Sequence, residues 1–190
     1  MNHTVRICGI AGSLRRASYN RGLLRAAVEL APAAGAVVEA FDLRPIPFYD
    51  ADVEAEGDPE PVAALKRAIL EADALLIATP ENNYGIPGVL KNALDWASRA
   101  PERALHGKPV ALLGATPGGF GTTRAQSHVR QVLANPGSLV LPKPELMVSQ
   151  AQAKFDADGD LTDEATREQV GALLVALVDW VGLVGRRGEA

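Results

Sequence analysis

A doubly wound α/β domain, a parallel sheet with helices on both faces, is the fold this sequence predicts. Two observations carry the prediction. Four short runs at residues 5–10, 36–41, 74–79 and 110–115 are aliphatic or β-branched and bounded by turn residues, the pattern of strands buried on both faces. Stretches of helical periodicity separate them, near 20–33, 59–72, 87–100 and 122–134, and a last one runs from about 163 to 185. A fifth, less regular strand is expected within 138–148, interrupted by Pro142 and Pro144. Five strands alternating with five helices are compatible with the order 2-1-3-4-5, which alternation alone does not fix.

The first strand contains Cys8, the single cysteine, which permits no internal disulfide and reads as a buried, inert thiol. The turn Gly12-Ser13-Leu14-Arg15-Arg16-Ala17-Ser18-Tyr19-Asn20 follows, and a helix opens near Asn20. The proline- and acid-rich segment 44–61 is the longest irregular connection and is expected on the surface. Asp58 before Pro59 reads as an N-cap with proline at the first helical position. In the third helix Val89, Leu90, Ala93, Leu94 and Ala97 form the apolar stripe, with Lys91, Asn92 and Asp95 on a solvated face. Trp96 lies at the edge of that stripe, where core packing and contact with another subunit are both open. Thr162, before Asp163-Glu164, marks the start of the last helix. There Val170, Leu173, Leu174, Leu177, Val181 and Val184 make the expected core face. Val178, Trp180 and Leu183 widen that face beyond what one sheet needs, which favours a homo-oligomer.

A chain of 190 residues suits one domain spanning 1–190. The formal charge of −4 and pI near 5.4 argue against a general nucleic-acid binder. No uninterrupted apolar run reaches membrane-spanning length and the N-terminus lacks a signal-peptide layout, so the expected compartment is the cytoplasm and no membrane partner is expected. His3, His106 and His128 have no metal-ligand spacing. Asp156, Asp158 and Asp160 resemble the opening of a calcium loop. Positions six and twelve of such a loop fall on Leu161 and Arg167, so a solvated turn is expected.

Three post-strand loops carry unusual chemistry, at the strand ends where doubly wound sheets bind ligands. The first offers Ser13, Ser18 and Asn20 as neutral donors and Arg15 as a forked cation, beside a helix N-terminus whose free N–H groups favour anions. A phosphate fits there; an ordinary turn with solvated arginines is the alternative. The second, Thr79-Pro80-Glu81-Asn82-Asn83-Tyr84-Gly85-Ile86-Pro87-Gly88, combines stiff prolines with amide donors and acceptors. The third, Gly114-Ala115-Thr116-Pro117-Gly118-Gly119-Phe120-Gly121-Thr122, exposes backbone amides that a flat ring can approach. The chain has neither the G-x-G-x-x-G spacing of a dinucleotide fingerprint nor a P-loop lysine pattern.

With these loops in hand, the chain resembles the NADPH-dependent FMN reductase family of flavodoxin-like flavoproteins, which includes quinone reductases, chromate reductases and some azoreductases. The resemblance rests on residues 12–20, on Pro80 through Trp96, on Gly114 to Gln126 and on the tail Phe155-Asp156-Ala157-Asp158-Gly159-Asp160-Leu161. It implies a five-stranded sheet ordered 2-1-3-4-5, FMN as cofactor and NAD(P)H as hydride donor. By the resemblance, Ser13, Arg15, Ser18, Tyr19 and Asn20 hold the FMN phosphate. Pro80, Glu81, Asn82, Asn83 and Tyr84 approach the isoalloxazine and ribityl groups, and Thr116, Gly118 and Gly119 border the ring. Asn82 stands where the family usually has tyrosine, and Thr116 replaces the commoner serine. The implied acceptor is a small molecule such as a quinone, a flavin, an azo compound or an oxyanion, and the implied assembly is a homodimer or homotetramer. Hydride transfer through a flavin needs no protein acid or base, so Glu81 reads as structural or ring-orienting and no side chain is nominated as catalytic. The rival from another class is a non-enzymatic flavodoxin-type electron carrier; Arg15 and Arg16 speak against it, because such carriers use a threonine-rich first turn.

Overall fold

The computed structural model describes residues 4–185; His3 lies outside them. A parallel sheet forms from β1 (Val5–Ala11), β2 (Ala36–Phe41), β3 (Ala74–Ala78), β4 (Pro109–Ala115), β5 (Leu139–Val140) and β6 (Leu146–Val148). The order is β2-β1-β3-β4-β5, as expected of a flavodoxin-like sheet. The expected fifth strand is two short ones. Prolines at 142 and 144 withdraw backbone donors, so β5 pairs with the start of β4 at Pro109 and Val110, and β6 resumes pairing at Leu113 to Ala115.

Helices α1 (Tyr19–Leu30) and α6 (Glu164–Gly185) cover one face, while α3 (Glu60–Glu71), α4 (Gly88–Ala97) and α5 (Thr123–Ala134) cover the other. The central strand shows why the sequence lacks alternation. Ala74, Leu76 and Ala78 of β3 face α1 and α6, Leu75 and Ile77 face the other layer, and all five are buried. Cys8 is likewise buried; burial pushes its thiol up to about 12, with smaller influences from Lys108 and Glu39, so it is inert at neutral pH.

Two helix starts differ from expectation for one reason, competition from another partner. Asp58 does not cap α3. Its carboxylate sits 2.6 Å from Lys66 Nζ, and Glu102 adds a contact at 3.1 Å to the same buried ammonium. Burial alone would lower the Lys66 pKa, but the hydrogen bonds and charges of Asp58 and Glu102 win and raise it. Stranding that lysine by removing both partners would cost on the order of 3–5 kcal/mol, well above a lost cap. At α6 the cap is Asp163, which accepts from the Thr166 backbone and hydroxyl, while Thr162 turns away to donate to the Lys154 carbonyl.

The segment 44–61 is more structured than a plain surface loop. It contains a short helix α2 (Ala51–Ala55) capped by Asp50 and is strapped to α4. Asn92, expected on a solvated face, donates to the Pro47 carbonyl and accepts from the Tyr49 N–H, both at 2.8 Å. Trp96 is fully buried core, its indole N–H donating to Pro47 and its ring edge-on to Tyr49. By length and composition α6 is long and apolar enough to cross a membrane. Counting uninterrupted apolar runs passed over this. Here Val170, Leu173, Leu174 and Leu177 bury its first half on the sheet, while Val175 and Leu183 remain exposed.

Candidate functional site

The loops after β1, β3 and β4 meet at the carboxyl ends of the strands. Gly12 donates its N–H to the Ala78 carbonyl, so the first loop leaves the sheet directly beside Pro80. Asn20 ties that loop's helix to β4: its Nδ2 donates to the Ala115 carbonyl and its Oδ1 accepts the Ala115 N–H, each at 2.9 Å. The third loop is held from behind, because Thr116 exchanges backbone hydrogen bonds with Val148 and Ala151, and Gly118 accepts from Gln150.

At the first loop the helix begins one residue earlier than the pattern suggests. Ser18 is the N-cap, accepting from the Arg21 N–H at 3.4 Å, and Asn20 is buried within the first turn. The Asn20 side chain is therefore spent on Ala115, and what it can offer an anion is its backbone N–H. No acidic residue sits in the first turn of α1, so its partial positive charge stands uncompensated from within the helix. Arg15 is exposed, donates to the Ala17 carbonyl and lies 5.0 Å from the Tyr19 ring centroid. Ser13 is half-buried at a smaller cavity of about 190 Å³ beside Arg21 and Asp42. Asp42 pairs with Arg44. Burial works to raise its pKa, but hydrogen bonds and charge from Arg44 lower it, and Arg44 also donates to Leu14 in the loop.

The tail resembling a calcium loop supports this region from outside. Asp156 Oδ1 accepts the backbone N–H groups of Asp158 and Asp160, so that carboxylate shapes its own turn. Gly159, at φ 80°, is packed against Ala17, and a methyl group at Gly22 would run into the Gly159 carbonyl oxygen. Phe155 packs on Tyr19 with ring centroids 5.0 Å apart, and Asp160 pairs with Arg25. This brace fixes the first turn of α1.

The second and third loops face each other across a cleft of about 550 Å³. Residues Asn82 to Gly85 form a tight hairpin turn, with backbone bonds of 2.9 and 3.2 Å and both central residues, Asn83 (φ 49°) and Tyr84 (φ 64°), in the left-handed region. Asparagine tolerates that conformation, whereas tyrosine is uncommon there. Of the predicted residues, Glu81, Asn83, Tyr84, Thr116, Gly118 and Gly119 line this cleft. Asn82 is exposed in the turn, and Pro80 packs beneath, near Gly12. A side chain at Gly119 would meet open space, so the floor is bare backbone.

Glu81 is the anchor. Its Oε2 accepts the N–H groups of Arg124 and Ala125 at 2.9 and 3.1 Å, which satisfies the N-terminus of α5 from another loop. Its Oε1 pairs with Arg124 Nη1 at 3.3 Å. Sequence reasoning missed Arg124 and Phe120, which both line the cleft. One signal was present: a cation in the first turn of a helix opposes the dipole, and such a violation of a local rule marks a site.

Comparison with known proteins gives concordant matches. The model of the NADPH-dependent FMN reductase family matches residues 5–153. An NAD(P)H-dependent FMN reductase of Pseudomonas aeruginosa is 50% identical over 181 residues, covering 95% of this chain and 97% of the relative. A quinone reductase of Escherichia coli (strain K12) is 39% identical over 183 residues, covering 95% and 97%. The solved structure of FerB, a flavoenzyme NAD(P)H:(acceptor) oxidoreductase from Paracoccus denitrificans, superposes with a TM-score of 0.84 at 34% identity, covering 94% of this chain and 97% of that one.

Proposed function

The chain belongs to the NADPH-dependent FMN reductase family, and from that premise we propose that it is a cytoplasmic, FMN-dependent NAD(P)H oxidoreductase reducing quinones and similar small acceptors. The observation that carries this reading is the meeting of chemically different loops at one carboxyl edge of the sheet, with Gly12 of the first loop beside Pro80 of the second. The first loop offers a helix N-terminus with hydroxyls and Arg15 and no carboxylate in its first turn; the other two offer bare backbone facing aromatic and amide groups. That donor set fits FMN, a flat ring carrying a phosphate. Ser13, Arg15, Ser18 and Tyr19, with the backbone N–H of Asn20, would hold the phosphate. Pro80 through Tyr84 would lie along the ring and ribityl chain, and Thr116, Gly118 and Gly119 along its other border. Bound there, the flavin supplies two-electron chemistry between nicotinamide and acceptor. Overall, NAD(P)H, a proton and a quinone give NAD(P)⁺ and the quinol. The protein binds and orients; Glu81, held by two backbone N–H groups and Arg124, fixes the hairpin rather than moving a proton.

The cleft offers one open face, so donor and acceptor would visit in turn. Purified protein should show flavin absorbance and bind FMN far more tightly than riboflavin by fluorescence quenching. Initial rates at several fixed quinone concentrations should give parallel double-reciprocal lines; intersecting lines would mean a ternary complex and overturn the single-face reading. The apolar surface left on α6 at Val175 and Leu183 supports a homodimer or homotetramer, which sedimentation would test, whereas Trp180 packs on the chain's own core.

A further inference from the structure

The mouth of the cleft holds a group that cofactor binding does not explain. Arg124 is the single cation among the residues lining it. Its guanidinium carbon lies 4.2 Å from the Tyr84 ring centroid and 5.2 Å from that of Phe120. Both rings are largely in solvent, Tyr84 at 67% and Phe120 at 74% exposure. The two exposed rings flank the guanidinium and offer flat faces that a planar ligand can cover.

The cation is also free to change partners. The Arg124 side chain is 42% exposed, whereas that of Glu81, its ion-pair partner, is 8% exposed. Were the guanidinium to leave, Glu81 would keep two N–H donors from α5 and the favourable end of the helix dipole. Swinging Arg124 away therefore strands no buried charge, unlike the usual broken buried pair. A planar fork matched to oxyanions, between two exposed aromatic faces, complements a ligand that combines flat rings with phosphates. A quinone has the ring without the phosphate, and a dinucleotide hydride donor has both.

We propose that Arg124, framed by Tyr84 and Phe120, binds a phosphate of NAD(P)H and sets affinity for the hydride donor but not for the acceptor; this rests on the oxidoreductase reading above. It acts on binding, at a distance from the transferred hydride, so its effect falls on KM for the dinucleotide.

The test compares wild type, R124Q and R124K as FMN-loaded enzymes, with flavin content checked by absorbance. In R124Q, KM for NADH or NADPH should rise roughly tenfold to a hundredfold, the range for a lost charge-assisted contact, with quinone KM unchanged. R124K, which keeps the charge but not the fork, should fall between. A phosphate-free donor, 1-benzyl-1,4-dihydronicotinamide, should serve wild type and R124Q equally. Equal rises for NADH and NADPH would place the contact at the pyrophosphate, and a larger rise for NADPH would place it at the 2′-phosphate; either supports the assignment. It is overturned if both dinucleotide KM values are unchanged, or if the phosphate-free donor loses as much. A wild type that binds FMN yet oxidises neither dinucleotide would overturn the functional reading itself and this assignment with it, a result distinct from an active enzyme indifferent to R124Q.

Discussion

The loop after β1 and the loop after β3 leave neighbouring strands at the same edge of the sheet and are held in opposite ways. The first is locked from beneath: Asn20 is tied to Ala115, Gly22 is pressed on Gly159, Tyr19 lies on Phe155 and Arg44 tethers Leu14. The second is an exposed hairpin whose main anchor is one carboxylate, Glu81, and whose aromatic residue stays in solvent. The contrast suits the two tasks. A cofactor that stays bound gains from donors fixed in advance, because ordering them on binding would cost affinity. The alternating donor and acceptor proposed above would need a wall that releases them.

Gly22→Ala should have the largest effect, since the added methyl group meets backbone that cannot rotate away. A loss of about 3 kcal/mol, the upper range of overpacking, should lower Tm by roughly 6–12 °C and weaken FMN binding. A normal melt with normal FMN affinity would mean the brace does not set the loop.

Next, Arg15→Ala should weaken FMN by about 1.5–3 kcal/mol, or roughly ten- to a hundredfold, with Arg16→Ala milder. Side-by-side titrations in which Arg16 proves the more damaging site would reverse the orientation assigned to the first loop.

Glu81→Gln sharpens the comparison from the other end. It keeps an acceptor for α5 but removes the charge at the helix N-terminus and the pairing with Arg124, so stability should fall by about 1 kcal/mol. The ratio of FMN to riboflavin affinity should not move, because the phosphate end is braced independently. A collapse of that ratio would show the two ends to be coupled.

The smallest change in stability is expected for Asn82→Tyr, at an exposed position in the hairpin. Acceptor preference across a panel of quinones should shift by a few fold while FMN affinity stays within about twofold, well under the 1.4 kcal/mol that a tenfold change requires. An FMN affinity that changes more than the acceptor profile would assign Asn82 to the cofactor end instead.

Acidity offers a control away from both loops. Hydrogen bonds from the Thr166 hydroxyl and backbone lower the Asp163 pKa, so its cap stabilises α6 fully above the ordinary carboxylate value and is lost as pH falls through the lowered one. Asp163→Asn should flatten that acid limb in thermal melts and leave FMN binding at neutral pH unchanged.

Local pattern sufficed wherever the answer depended on near neighbours. The first four strands, the five longer helices and the three chemically unusual loops follow from apolar runs, periodicity and turn residues that lie side by side in the chain. The strand order came from the family resemblance rather than from alternation. The capping residues expected at Asp58 and Thr162 differ from those observed, and the fifth strand, expected to be interrupted by Pro142 and Pro144, divides into two. At Asp58 and Thr162 a good local capping residue lost to another partner, a buried lysine in one case and the carbonyl of Lys154 in the other.

By itself the sequence determined the class of the fold, the three candidate loops and the family, because these rest on short-range periodicity and contiguous motifs. Only the tertiary structure decided what each polar side chain does. Asn20 was read as an anion donor and spends its side chain on Ala115, 95 residues away. Glu81 proved to be the cap of a helix 43 residues later, and Arg124 came to lie between two rings from different loops. The physical reason is common to all three. A buried or partly buried polar group must be satisfied, several partners compete for it, and the winner is whichever group the fold brings within hydrogen-bonding distance.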